Sequence, residues 1–424
     1  MPTKKAGGVQ PSPELSHAGE RVAHPQGRFA RVGEGDPALP STYLEAMPFV
    51  TRTGIPPLIR TGVGRVLGTG MAQRLLRPWN RNRAVIFLLH RVTDSGGQDQ
   101  ELLRACLAFL QRHRIPVMEV RELLCWAQDP SRPSGPRVAF TLDDGYLDQA
   151  RVAAPIFHEF GFPATIYVIT DFLDQGGWMW WDRLRVTLAR TERDHLTLEL
   201  GPGGIMELDL GDPQTRDRSI QRLEATLKAF PAQIRDEALA RLEAEAGVSI
   251  PPCPPREDGP MSWDDARQCE ELGVTIGAHT RSHPILARES DERARREIQE
   301  SWERIQTEVR DPCPVFCYPN GLRGDFGHRE MAFARDAGME GAVAAEGGYL
   351  DGCAPQGHRT PSDNVPDELA AFALPRIHLP SDLPAFIRII SGLDTQGRRS
   401  VPCAPATSRN RPAASLDAPA QRPC

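Results

Sequence analysis

An α/β fold, laid out as a single (β/α) barrel with an α-rich insertion, is what this sequence predicts, and three observations carry it. From about residue 84 onward, short apolar runs alternate with segments of helical spacing. The 424 residues suffice for one barrel of roughly 250–300 residues plus tails. Residues able to do chemistry stand directly after apolar runs, where barrel enzymes assemble their sites. In chain order, 84–89 reads as a buried strand and 101–112 as a helix with Leu102, Ala105, Cys106 and Phe109 on one side. A short strand at 116–119 precedes a helix at 120–127. The strand 138–142 leads to a helix at 149–160, stopped by Gly161-Phe162-Pro163, and 164–169 is the next buried strand.

The rhythm breaks at about 171–260, where Trp178, Trp180 and Trp181 open an insertion. Within it, 196–200 is strand-like, with helices near 219–230 and 231–246. The tryptophans suit either a sugar-stacking platform or the buried root of the insertion. The alternation then resumes. Ser262 with Asp265 forms a helix start close to a capping box, and Gly273 ends that helix. A strand at 274–277 is followed by a helix at 291–309 whose inward face is Ala294, Ile298, Trp302, Ile305 and Val309. Strands at 314–318 and 341–344 flank a helix at 328–337 stopped by Gly338, and 375–379 closes the set.

Composition narrows the function classes. A net charge of −6 is too mild to mark a nucleic-acid binder. The nine cysteines are an odd number without metal-ligand spacing, and they point to a reducing compartment. Cys313 and Cys317 share one face of a strand. Residues 1–45 and 396–424 read as disordered tails, rich in Pro, Gly and charge. No apolar run approaches the roughly 20 residues that span a bilayer. Between Met47 and Thr93 there are eight arginines and no acidic residue, so 46–83 reads as a basic amphipathic segment. It suits either packing on the barrel, which occupies 84–395, or peripheral contact with an anionic membrane. These features together lead us to expect a cytoplasmic protein, peripheral to the inner membrane at most.

Two segments carry the chemistry. Thr141-Leu142-Asp143-Asp144-Gly145 puts adjacent carboxylates at the end of a buried strand, where both are costly unless compensated. His279 and His283 stand four residues apart after another strand. Separately, the first is an ordinary turn and the second a shared helix face. Together they make a ligand set: one carboxylate and two imidazoles bind one divalent metal ion, with zinc the best match and cobalt or nickel able to substitute. The other carboxylate is left to act as a base.

These segments resemble the motifs of the polysaccharide deacetylases with a NodB homology domain. The first is similar to that family's Thr-Phe-Asp-Asp-Gly, with Leu142 replacing the aromatic residue, and the second to its His-Ser/Thr-x-x-His. Phe316-Cys317-Tyr318-Pro319-Asn320-Gly321 is similar to a Tyr-Pro-x-Gly variant of the third motif, and 86–92 to the opening strand of that branch. The likeness runs from about 85 to about 390 and implies the distorted barrel of that family. It implies further that Asp144, His279 and His283 hold the metal and that Asp143 is the base. Gly145 would allow close backbone approach. Tyr318 would offer its backbone N–H to the oxyanion, with Pro319 beside it in the motif. The family's acid for the leaving amine is a histidine in Leu-x-His; the match here is Arg376-Ile377-His378, with His90 the other candidate. The cation that positions Asp143 is expected to be Arg376, with Arg323 as the rival. The implied activity is removal of N-acetyl groups from amino sugars of a polysaccharide, oligosaccharide or lipid-linked glycan. O-acetyl ester cleavage, N-deformylation, and sugar binding without catalysis are the alternatives.

Overall fold

The computed structural model describes residues 83–92, 98–129, 131, 133–351, 366–393 and 400–402. The expected tail at 1–45, the basic segment as far as residue 82 and most of 396–424 lie outside the described residues. Strand β1 (Arg83–Leu89) is followed by helices α1 (Gln98–His113) and α2 (Val120–Gln128) and by β2 (Arg137–Asp144). A π turn at Gln149–Ala153 runs into α3 (Ala154–Phe160), then β3 (Ala164–Val168) and the short α4 (Thr170–Gln175). The insertion holds α5 (Trp180–Arg190), β4 (His195–Glu199), β5 (Ile205–Asp209), α6 (Pro213–Leu227) and α7 (Ala232–Ala246). After it come α8 (Trp263–Glu271), β6 (Val274–Ala278), α9 (Asp291–Glu308), β7 (Val315–Cys317), α10 (His328–Asp336) and β8 (Gly341–Val343). The last elements are β9 (Tyr349–Asp351), β10 (Ile377–His378), α11 (Leu383–Ile390) and β11 (Ser400–Pro402).

Strands β1, β2, β3 and β6 pair in parallel, in that order. A single parallel bridge, Gly277 with Cys313, carries the sheet to β7, which pairs with β8. A second bridge, Val343 with Leu374, leads toward β10, and β10 returns to β1 through Phe87–Ile377 and Leu88–His378. The circuit closes as a distorted barrel. Two of its joins are only one bridge wide. Every residue of β2 from Val138 to Asp144 is buried, as expected of a parallel strand covered on both faces. Gly277 is required where it stands, because a Cβ there would lie 2.5 Å from the Tyr167 ring.

Helix starts and buried faces follow the sequence. The Ser262 hydroxyl accepts from Asp265 N–H at 3.1 Å, and the Asp265 carboxylate accepts from Ser262 N–H at 2.9 Å, completing the capping box. Along α9, Ala294, Ile298, Trp302 and Ile305 are buried together with Val309 beyond its end.

Three details differ from the sequence reading. Residues 116–119 form no strand; Val117 makes one bridge to Val138, since Pro116 has no N–H to extend the ladder and α2 begins at Val120. Helix α6 starts at Pro213 rather than near 219, because Asp212 caps it by accepting from the N–H groups of Gln214 and Thr215. The insertion also gains a second strand, β5. It pairs antiparallel with β4, and both strands alternate exposed and buried residues. Leu196, Leu198, Met206 and Leu208 face α5, α6 and α7 in a core separate from that of the barrel. Among the described residues, no helix is long and apolar enough to cross a membrane. Of the eight arginines before Thr93, two are described and both are engaged. The Arg91 guanidinium lies 2.7 Å from Asp148 and 3.5 Å from Asp258, and that of Arg83 lies over the Tyr349 ring.

Candidate active site

Asp143 and Asp144 end β2, opposite Tyr167 and Val168 of β3. The chain then turns sharply: Asp144 has φ 87° and Gly145 φ 85°. Positive φ is unfavourable for a residue with a Cβ, so Asp144 occupies a costly conformation at a chemical position. Gly145 could not be replaced easily, since a Cβ would meet Leu173 and Val168 at 3.0–3.2 Å.

His279 follows β6 directly, and His283 lies at the end of a loop rather than on a helix face. Thr280 (φ 66°) and His283 (φ 56°) are both left-handed. The Thr280 hydroxyl holds this loop, donating to the His279 carbonyl at 2.5 Å and accepting from His283 N–H at 3.0 Å. Buried Glu297 of α9 accepts from the N–H groups of Arg281 and Ser282 and from the Ser282 hydroxyl. The result is convergence: His279 Nε2 and His283 Nε2 lie 3.6 and 3.8 Å from the same Asp144 oxygen, Oδ1. These gaps exceed a hydrogen bond yet suit three ligands around one ion. His279 Nδ1 is 2.9 Å from the Cys317 carbonyl, which can only accept, so Nδ1 carries a proton. Burial opposes a second proton on Nε2, but Cys317 and Asp144 outweigh it and raise the pKa, and an ion held there would take the place of that proton. Burial and the neighbouring His279 push His283 down to about 3 and keep it neutral. The donor set therefore fits a divalent metal.

Asp143 points elsewhere. Its oxygens receive a bidentate pair from Arg376, at 2.7 Å from one terminal nitrogen and 2.8 Å from the other. Arg376 itself is 1% exposed, and every N–H of its guanidinium has a partner. The remaining acceptors are the Thr141 hydroxyl, Cys317 Sγ and the Ala344 carbonyl. Burial alone would raise the Asp143 pKa, but the Arg376 charge and then that of His279 outweigh it and hold the carboxyl well below the usual range. Asp143 is thus ionised and oriented. Arg376 is the cation beside it, whereas Arg323 is exposed on its loop.

The other expected residues are placed as follows. His90, just past β1, and His378, in β10, stack on each other with ring centroids 5.8 Å apart. Packing among protein atoms, then His90 and Arg376, lowers His378 to about 4. The oxyanion role expected of Tyr318 is corrected: its N–H donates to the Val343 carbonyl at 3.4 Å, because pairing of β7 with β8 continues one residue further. The Tyr318 side chain turns into the core, stacked on Phe326 with its hydroxyl on the Phe372 carbonyl. Pro319 is buried at the turn that follows, where its carbonyl accepts from Gly321 N–H.

Three residues at the site have no role assigned from the sequence, and Trp181 reads there only as one of a cluster. Cys317 places its thiol 3.5 Å from Asp143 and its carbonyl on His279, and Glu297 anchors the histidine loop. Gln149 bonds to the backbone around both aspartates. Trp181 meets the His283 ring edge-to-face at 4.9 Å, and its indole N–H donates to the Tyr146 hydroxyl, which donates to Asp182. The tryptophan cluster therefore divides. Trp180 is the buried root of the insertion, Trp178 bonds to the Pro251 carbonyl, and half-buried Trp181 borders His283.

A distorted (β/α) barrel with a buried cluster of candidate ligands at the strand ends is what this fold and site define. Residues 214–342 match the model of the polysaccharide deacetylase family, a stretch that includes His279, His283 and Tyr318. No curated protein matches the chain at the same stringency. Among solved structures it is similar to the Streptococcus pyogenes deacetylase PplD in complex with acetate, at 12% identity and TM-score 0.46, over 73% of this chain and 99% of that one. It is similar also to the de-N-acetylase from Aggregatibacter actinomycetemcomitans, at 14% identity and TM-score 0.40, over 70% and 95% of the two chains. For IcaB from Ammonifex degensii the values are 13%, 0.42, 74% and 97%.

Proposed function

We propose that the chain is a metal-dependent hydrolase that removes the N-acetyl group from an amino sugar of a glycan. The observation that carries this reading is the convergence of Asp144, His279 and His283 beside an ionised carboxylate, Asp143, that Arg376 keeps out of the ligand set. Zinc is the ion that best suits two neutral imidazoles and one carboxylate. When bound there, it supplies Lewis acidity toward a water and an acyl carbonyl. Asp143 takes the proton from that water. His378, stacked with His90, is the group assigned to the departing amine. Its low pKa leaves it neutral at rest, so it would take up the proton it passes on only as negative charge develops on the acyl group. Trp181 offers the exposed part of its indole to a sugar ring beside His283.

The defining experiment incubates the protein with zinc and acetylated oligosaccharides and measures acetate and free amine together. Equal release of both supports the reading. Acetate without amine means an O-acetyl esterase, and formate means a deformylase. An intact base beside an intact ligand set favours an enzyme over a sugar-binding relative without catalysis.

Replacing His279 with Ala should remove most bound zinc, because one of three protein ligands is lost; full occupancy measured by metal analysis would falsify the ligand assignment. His378→Ala should slow amide cleavage about a hundredfold, the scale of general acid catalysis, yet spare a p-nitrophenyl ester whose leaving group needs no proton. Equal losses on both substrates would move the acid elsewhere. Trp181→Ala should raise KM for an oligosaccharide about tenfold, the scale of one aromatic contact, and leave KM for the small ester alone.

A further inference from the structure

Gln149 is 0% exposed and stands at the first position of the π turn that follows β2. Its side-chain amide nitrogen donates to the carbonyls of His90 and Asp143, and its oxygen accepts from Gly145 N–H at 3.2 Å. The orientation of the amide is unambiguous. Rotated by half a turn, it would set its oxygen against two carbonyls and its NH2 against an N–H.

These partners lie where the barrel's regular hydrogen bonding stops. Successive residues of a strand point to opposite faces, so a straight β2 would send Asp143 and Asp144 apart without aiming either one. What aims Asp144 is the left-handed backbone at Asp144 and Gly145, which is unfavourable in isolation and must be held from outside. Other bonds hold its flanks: Ile169 N–H donates to the Asp144 carbonyl at 3.3 Å, and Met261 N–H to the Gly145 carbonyl at 2.9 Å. The Gln149 side chain joins Asp143 before the bend, Gly145 within it and His90 just past β1. A π turn is a usual sign of a functional position, and here it begins at this residue.

We propose that Gln149 is a positioning residue: its amide fixes the bend so that Asp144 faces His279 and His283 while Asp143 faces Arg376. The inference rests on the metal-site reading given above. The three hydrogen bonds of the Gln149 side chain all go to backbone groups, so it acts through the backbone, as groups that orient ligands commonly do.

The test measures zinc affinity of the full chain by competition with a chromophoric chelator, well below the melting transition, together with the transition itself. Gln149→Met keeps the volume and removes all three hydrogen bonds. Its zinc Kd should rise about tenfold to a hundredfold, as for other groups that support metal ligands, and kcat at saturating zinc should fall while KM stays. Gln149→Glu keeps an acceptor for Gly145 but faces two carbonyls with a carboxylate, and should weaken zinc binding as well. It replaces the Met variant if that chain does not fold. In the unaltered protein, the Gly145 amide should exchange as slowly as the amides of β2. Wild-type zinc affinity and kcat in the Met or Glu variant, whatever the change in melting temperature, would leave Gln149 a structural residue and overturn the proposal. Rapid exchange of the Gly145 amide would overturn it too. Asp144→Ala is the control: if that variant binds zinc normally, the metal-site reading fails on its own account.

Discussion

Changing Asp143 to Asn should lower kcat about a hundredfold or more while zinc remains bound. Asn keeps the shape of the side chain and one acceptor for Arg376, but it has no basicity at any accessible pH. The ligand set of Asp144, His279 and His283 is untouched, so metal content should stay at one ion per chain by elemental analysis. The second Arg376 bond is lost in the variant, because in either orientation the amide NH2 faces a guanidinium nitrogen. A modest loss of stability should therefore accompany the loss of rate. If the variant loses its zinc, the roles of the two carboxylates are exchanged.

The second large effect is on stability. Arg376→Met should destabilise the fold by about 3–5 kcal/mol near pH 7, because it strands a buried carboxylate without its counter-charge. The effect carries a definite pH dependence. In the unaltered protein the folded Asp143 pKa lies below the unfolded value of about 3.9. Its contribution is then fully present above pH 4 and is lost only as pH falls through the folded pKa. Without Arg376, burial dominates and raises the folded pKa above the unfolded one. That costs stability increasingly as pH rises from about 4 toward the new value. The gap between variant and parent should accordingly narrow on acidification, as read from denaturant midpoints at pH 7 and pH 4. A gap independent of pH would show that Arg376 contributes through packing alone.

The sequence disclosed most of this site because its chemistry sits in contiguous words. Asp143-Asp144 and His279…His283 each follow a legible strand, and the alternation of elements told which ends of the strands would face one another. Arg376 could be singled out because an ionised base needs a cation. Gln149 and Glu297 were illegible for a physical reason: both act on backbone groups, and a buried amide or carboxylate on a helix looks like any other polar position until the fold shows which N–H or carbonyl it meets. Trp181 was ambiguous because composition cannot tell the inner from the outer tryptophan of a cluster. Tyr318 was misread because the reach of a three-residue strand decides whether one N–H is free. Strand β5 and the start of α6 had local signals, the alternation in Ile205–Asp209 and the Asp212-Pro213 pair, which the longer apolar runs overshadowed.

The two narrow joins of the barrel change what its polar groups mean mechanically. Between β6 and β7 the backbone offers one bridge, and the His279–Cys317 hydrogen bond crosses the same gap. Around the other join, Arg376 binds Asp143 of β2, Cys317 of β7 and the Ala344 carbonyl beyond β8. The groups assigned to catalysis in the proposed function would thus also be the rivets of the barrel wall, and a metal held by Asp144, His279 and His283 would add one more. On that reading, stripping a bound ion should do more than silence the activity. It should let the wall breathe along the Gly277–Cys313 seam, with amide exchange there speeding up well before the remaining strands respond.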